Sequence, residues 1–165
     1  MKIPADVRPE NICAIVDTRE QDPLDLAPLR VLPGTLATGD YSVAGIEHLV
    51  AVERKSLADL LACVGRERER FDRECQRLLG YDTRAIVVEG EWADLERGDW
   101  PSRVTPAAAV GSLLGWVALG IPILMAGGHE RAGRYVSRLL YIAARRRYRE
   151  IRALVMRAES TEADR

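Results

Sequence analysis

Leu49, Val50, Ala51 and Val52 form an unbroken apolar run that leads straight into the charged triplet Glu53-Arg54-Lys55. A strand with one wet face alternates apolar and polar residues. A continuous run is instead buried on both sides, in the interior of a sheet that has helices packed against it. Three further stretches share this character: "ICAIVD" (Ile12 to Asp17), "RAIVVEG" (Arg84 to Gly90) and "IPILMA" (Ile121 to Ala126).

Helical patterns lie between them. Ser56 is placed to cap a helix, with Asp59 three residues on. Leu57, Leu60, Leu61 and Val64, then Phe71, Cys75 and Leu78, follow helical spacing, with Gly65 as an interruption. Pro106 can open a helix that runs to Leu119. From about Glu130 to Arg157 an arginine-rich helix carries Ala132, Val136, Leu139, Leu140, Ala143 and Leu154 as its apolar stripe. The stretch after Asp17 reads as a turn-rich loop, and "RVLPGTLATGDYSVAG" as short extended pieces, with Pro33-Gly34 as a turn and Ala44-Gly45 as a hairpin tip. "HLVAVERK" is the return strand, His48 its exposed member, and "EWADLERGDWPSRVTP" a loop with room for a short helix. This order predicts an α/β fold, a central mixed β-sheet flanked by helices.

A chain of 165 residues suits a single domain. Its longest apolar run, "AAAVGSLLGWVALGIPILMA", is broken by three glycines and Pro122, and "MKIPADVRPE" lacks a signal core, so a cytoplasmic protein with no membrane partner is expected. Cys13, Cys63 and Cys75 are odd in number and show no CxxC spacing, which argues against a disulfide scaffold or a zinc site and for a reducing compartment. The net charge of −1 implies no global basic field. A near-zero sum describes a salt-bridged surface, or a basic face around an acidic pocket.

Four carboxylates lie at or near strand ends: Asp17, Glu20, Asp40 and Glu53. Period-2 alternation puts Glu53 and Lys55 on one side of their strand and Arg54 on the other, with Asp40 arriving from the adjacent hairpin arm. Two carboxylates and an ammonium at one sheet edge are the groups that hold Mg²⁺ beside a phosphate and neutralise charge developing on it. Only two of the 24 Lys and Arg residues are lysine, Lys2 and Lys55, so position 55 selects a compact ammonium over a planar guanidinium. Duller readings stand beside each residue. Glu53–Lys55 is also an ordinary ion pair, Asp17 a loop cap, Asp59 a helix cap, and Arg66, Arg68 and Arg70 a solvated helix face.

Taken together, "VDTRE", "GDY", "VERKSLADL", "GRERERFDRECQRL" and "AIVVEG" resemble, in order and spacing, the nuclease domain of the XPF-type structure-specific endonucleases. That family's pattern is GD, a variable stretch, ERK, three residues and D, met here by Gly39, Asp40, Glu53, Arg54, Lys55 and Asp59. Asp17, Arg19 and Glu20 match its D-x-R-E strand end, and Gly65-Arg66 its helix-bend GR. The resemblance covers about residues 12–140. It implies a restriction-endonuclease-like domain of the PD-(D/E)xK superfamily over 1–165, with a core at about 12–145 and the arginine-rich helix to about 157. Mg²⁺- or Mn²⁺-dependent hydrolysis of DNA phosphodiesters at branched, flap or junction sites is the implied activity. A non-catalytic DNA-binding scaffold of the same fold is the alternative.

Carried over by position, Asp17, Glu20, Asp40 and Glu53 bind metal and join Arg54 and Lys55 in catalysis. Arg19, Asp59 and Arg66 support the site, and Arg66, Arg70 and Tyr41 are the expected DNA contacts. Family members usually carry a tandem helix-hairpin-helix domain, and often a helicase region; neither is expected within these residues. A homodimer is expected through the C-terminal third, where the stretch from Ala107 to Leu140 and the adjoining Tyr141 hold Leu113, Leu114, Trp116, Leu119, Val136, Leu139, Leu140 and Tyr141. A separate protein that supplies substrate specificity is a further expected partner.

Overall fold

The structure, a computed structural model, describes the backbone of residues 4–163 and the side chains of residues 4–159. Six strands form one mixed sheet: β1 (Cys13–Asp17), β2 (Arg30–Gly34), β3 (Tyr41–Val43), β4 (Val50–Ser56), β5 (Thr83–Glu89) and β6 (Ile123–Met125). Their order across the sheet is β2-β1-β3-β4-β5-β6. β3 runs antiparallel to both neighbours, β1 and β4; the remaining pairs are parallel. Five helices cover the faces: α1 (Leu57–Val64), α2 (Arg68–Leu78), α3 (Trp92–Arg97), α4 (Pro106–Ala118) and α5 (His129–Ala163). Among the described residues, no helix is long and apolar enough to cross a membrane.

The two-sided burial of the Leu49–Val52 run is visible in where its side chains go. Val50 and Val52 enter the core under α5, with Ala132, Val136 and Leu140. Ala51 enters the opposite core with Leu60, Phe71, Leu113 and Trp116. β5 divides likewise, Val87 to the first core and Ile86 and Val88 to the second.

Local signals set most element ends. Ser56 Oγ accepts the Asp59 N–H and donates to the Asp59 carboxylate, which closes the start of α1. Thr105 caps α4, with Pro106 in its first turn. A reciprocal Glu91–Asp94 capping box starts α3, the short helix for which the loop had room, and Gly98, at φ +72, ends it.

Three expectations change. Pro33-Gly34 is no turn; it is the end of β2, with Pro33 opposite Val16. β2 is an edge strand, where a residue without an N–H is tolerated. Ala44-Gly45 is the first of two turns between β3 and β4, and His48 sits in the second, exposed, outside any strand. Leu154, expected on the buried stripe of α5, is 68 % exposed, because the helix outruns the core beyond Ala144. Of the apolar residues expected at a dimer face, Leu113, Trp116, Val136 and Leu140 complete this chain's own cores. Leu114 and Leu119 stay exposed on and beside α4, with Val117 between them.

Candidate active site

The site begins with backbone. Asp40 sits just before β3, where its N–H donates to the Val52 carbonyl (2.8 Å) and its carbonyl accepts the Asp17 N–H (2.8 Å). Gly39 makes this approach possible. It has φ +80, and a Cβ there would lie 3.0 Å from the Val52 carbonyl oxygen. The Arg54 N–H donates to Asp40 Oδ2 at 2.8 Å, so the Asp40 carboxylate is held against β4.

Along β4 the alternation is as expected. Lys55 Nζ donates to Glu53 Oε1 at 2.6 Å on one face. On the other, the Arg54 guanidinium grips Glu20 through Nε (3.0 Å) and Nη2 (2.9 Å), and Glu89 through Nη1 (2.8 Å). The stem of Lys55 is buried, its ammonium 5.1 Å from the centre of the Phe71 ring on α2. A thin stem with a point charge fits between that ring and Glu53.

A polar cleft of about 230 Å³ opens here, lined by Asp40, Glu53, Lys55 and, from α2, Glu74. Arg19, Arg70 and Arg77 stand at its edges. Burial, then repulsion from Glu53, pushes the Asp40 carboxyl up to about 7. Burial also raises Glu53, against the opposing pull of Lys55. Desolvation would lower Lys55, yet Glu53 holds it above the usual lysine value, so it is an ammonium at neutral pH. Glu74 binds Arg70 through Oε1 (3.0 Å), while its Oε2 is buried with no hydrogen-bond partner.

Two carboxylates short of positive charge and an orphaned buried oxygen are the groups a hard divalent cation would satisfy. Among the described residues, no group of three or more His, Cys, Asp or Glu is close enough to enclose a metal ion. Asp40 and Glu53 would therefore supply a partial shell that water and a phosphate complete, a pattern that suits Mg²⁺ or Mn²⁺.

Asp17 and Glu20, expected as metal ligands, do not line this cleft. Asp17 is buried and saturated: it accepts the Arg19 N–H (2.9 Å), Arg19 Nε (2.6 Å) and Nη2 (3.0 Å), and the Leu36 N–H (2.7 Å). The Arg19 bonds, against the effect of burial, hold its carboxyl at about 2. Its work is to fasten the loop before Leu36 onto β1. Burial would raise Glu20, but the hydrogen bonds from Arg54 and the Asp22 N–H lower it on balance.

Tyr41, an expected DNA contact, is fully buried; its hydroxyl accepts the Leu24 N–H (3.0 Å) and donates to Glu20 (3.4 Å), so it presents nothing to DNA. Asp59 caps α1 and does not reach the cleft. Arg70 lines the cleft, and Arg66 projects into solvent beside a separate groove. Glu74 and Arg77 are additions to the expected set. With Arg70 they fall at i, i+4 and i+7, one face of α2, and that spacing was their signal in the sequence.

The ERCC4 domain family model matches residues 16–139. Among solved structures, XPF from Aeropyrum pernix is similar over 88 % of this chain and 73 % of its own, with TM-score 0.65 and 21 % identity. XPF from Aeropyrum pernix in complex with DNA is similar over 81 % of this chain and 65 % of its own, with TM-score 0.65 and 22 % identity. No curated protein sequence matches.

Proposed function

The chain belongs to the ERCC4 domain family, as an XPF-type nuclease domain, and we propose that it hydrolyses DNA phosphodiesters with a divalent metal, acting at branched, flap or junction DNA. The observation that carries this reading is the cleft where Asp40 and Glu53, both with raised carboxyl pKa values, face the ammonium of Lys55. Such a cleft is poorly suited to rest without a cation, and its polar lining accepts a phosphate.

Asp40 and Glu53 are the residues that would hold Mg²⁺ or Mn²⁺. When bound, the ion supplies polarisation of a phosphoryl oxygen and a more acidic water. The chain's own contribution is positional and electrostatic. Gly39 and the Arg54 N–H fix the Asp40 carboxylate, and Glu53 fixes Lys55. Lys55 directs positive charge into the cleft, where negative charge builds on the phosphoryl oxygens as the bond from water forms and the ester bond breaks. Arg54, between Glu20 and Glu89, braces β4 from the opposite face.

DNA is the proposed substrate, in keeping with the DNA complex of the Aeropyrum pernix protein. A homodimer remains part of the proposal, narrowed to the exposed Leu114, Val117 and Leu119. Light scattering at micromolar concentration tests it: a monomeric mass throughout rejects it.

The test of activity is cleavage of flap, fork, nicked, junction and plain duplex DNA in Mg²⁺ and in Mn²⁺, with a Lys55→Arg variant alongside. Wild type should cut a branched substrate in at least one metal, and Lys55→Arg should lose most of that activity, because the broad guanidinium does not fit the slot beside Phe71. A chain that binds these DNAs and cuts none of them in either metal is the scaffolding module instead.

A further inference from the structure

A second opening lies against α1, the helix that follows β4 directly. It is a groove of about 910 Å³ between α1 with the Gly65-Arg66 bend after it and the segment that links α3 to α4. Leu57 and Leu61 form one wall and Trp100 and Val104 the other. Gly65 keeps the walls close, since a Cβ there would meet the Val104 side chain at 3.2 Å. Trp100 is half-buried, and its Nε1 donates to the Val104 carbonyl at 2.8 Å, which pins the indole in place. The groove starts at Leu57, two residues beyond Lys55.

Its rim is cationic. The Arg66 side chain is 82 % exposed, and its nearest carboxylate, on Glu67, is 3.8 Å away and already bonded to Arg70. Arg103 is exposed and has no ion-pair or hydrogen-bond partner among the described residues. The one acidic neighbour on this segment, Asp99, lies 3.6 Å from Arg97.

Apolar walls with a fixed aromatic ring, a guanidinium on Arg103 that is unpaired among the described residues and a second, exposed one on Arg66 held only by a 3.8 Å ion pair to Glu67, match an unpaired nucleic-acid strand. Its bases have apolar faces to lay on Trp100 and Leu57, and its phosphates suit the arginine fork. A duplex has its bases stacked inside, so it has no apolar face to enter between these walls and is not seated at this rim. We propose that this groove receives the single-stranded arm of a branched DNA, an assignment that rests on the nuclease reading and locates the unpaired strand beside the cleavage site.

The test is fluorescence anisotropy in EDTA with a labelled 15-nucleotide dT strand, a 15-base-pair blunt duplex, and a fork that joins the two. The variants are Arg66→Ala/Arg103→Ala, which alters only exposed rim residues, and Trp100→Phe, which keeps a ring in the wall. The double variant should weaken dT and fork binding by about tenfold, lower the salt slope for dT by about one to two, and leave duplex binding within about twofold. Trp100→Phe should retain most of the dT affinity. Equal losses on dT and duplex, or no loss on dT, overturn the proposal. A change in molecular mass with the double variant overturns it too, since the groove would then seat a second copy. Binding without metal is read apart from cleavage: an inactive protein with the expected dT effect refutes the catalytic reading alone, and an active one without it refutes only the groove.

Discussion

Two pairs of acids flank the same short β3 strand and live in opposite states. Asp17 and Glu20 are saturated with donors, and both carboxyl pKa values are lowered. Asp40 and Glu53 border a cleft, receive fewer hydrogen bonds, and are both raised. Burial raises all four carboxyl groups, most strongly Asp40 and Glu53, and in Asp17 and Glu20 the hydrogen-bond donors outweigh it. Acids that fasten the chain are satisfied by the chain itself, whereas acids kept short of charge stand ready for something the chain does not contain.

The contrast can be broken most sharply on activity. Asp40→Asn and Lys55→Ala should each reduce cleavage by about three orders of magnitude or more in a single-turnover assay, roughly 4 kcal/mol of barrier. DNA binding should fall far less, since its affinity rests on phosphate contacts over a wider surface. Glu20→Gln should cut at a rate within about tenfold of wild type. A Glu20→Gln protein as inactive as Asp40→Asn would erase the distinction between the pairs.

On stability the sign should reverse between the pairs. Asp17→Asn turns an acceptor of four hydrogen bonds into a group with one fewer acceptor oxygen, and should cost about 2 kcal/mol at pH 7, seen as a lower denaturant midpoint. Because the folded pKa of Asp17 is depressed, its contribution is present above the unfolded value of 3.8 and fades as pH falls through about 2. Asp40→Asn, without metal, should instead stabilise, by about 1–2 kcal/mol at pH 8. Its folded pKa is raised, so the folded state binds more protons than the unfolded one between 3.8 and about 7, and stability falls as pH rises through that window. The gain should therefore shrink toward zero as pH approaches 4. An Asp40→Asn protein less stable than wild type at pH 8 would show that this carboxylate is structural.

The smallest effect belongs to Glu74. Removing the charge beside its orphaned oxygen, as Glu74→Gln, should weaken Mn²⁺ binding by up to about tenfold with the fold unchanged. Unaltered affinity would leave Glu74 as a support for Arg70 only.

Much of this was legible before any coordinates. Four apolar runs named four strands; β4 and β5 are buried on both faces as such a run implies, whereas β6 is a half-buried edge strand. The alternation in "VERK" sorted Glu53 and Lys55 from Arg54. β2 was legible only as a short extended piece cut off by a turn, since Val31 and Leu32 are exposed on an edge and "VLPG" carries the residues of a turn. Which acids were saturated was also hidden. That depends on the chain folding back 19 residues later to bring the Leu36 N–H to Asp17, and on Tyr41 pointing inward to Glu20. Neither event leaves a mark in local spacing. Glu74 did leave one, three residues beyond Phe71 on the charged face of α2, though nothing in the sequence set it apart from its neighbours Glu67 and Glu69.

The most direct measurement is calorimetric titration of Mn²⁺ at pH 7.5 into wild type, Glu20→Gln and Asp40→Asn. The account predicts one binding event of similar affinity in wild type and Glu20→Gln, and at least tenfold weaker binding in Asp40→Asn. Loss of binding in Glu20→Gln equal to that in Asp40→Asn, or Asp40→Asn binding as tightly as wild type, would contradict it.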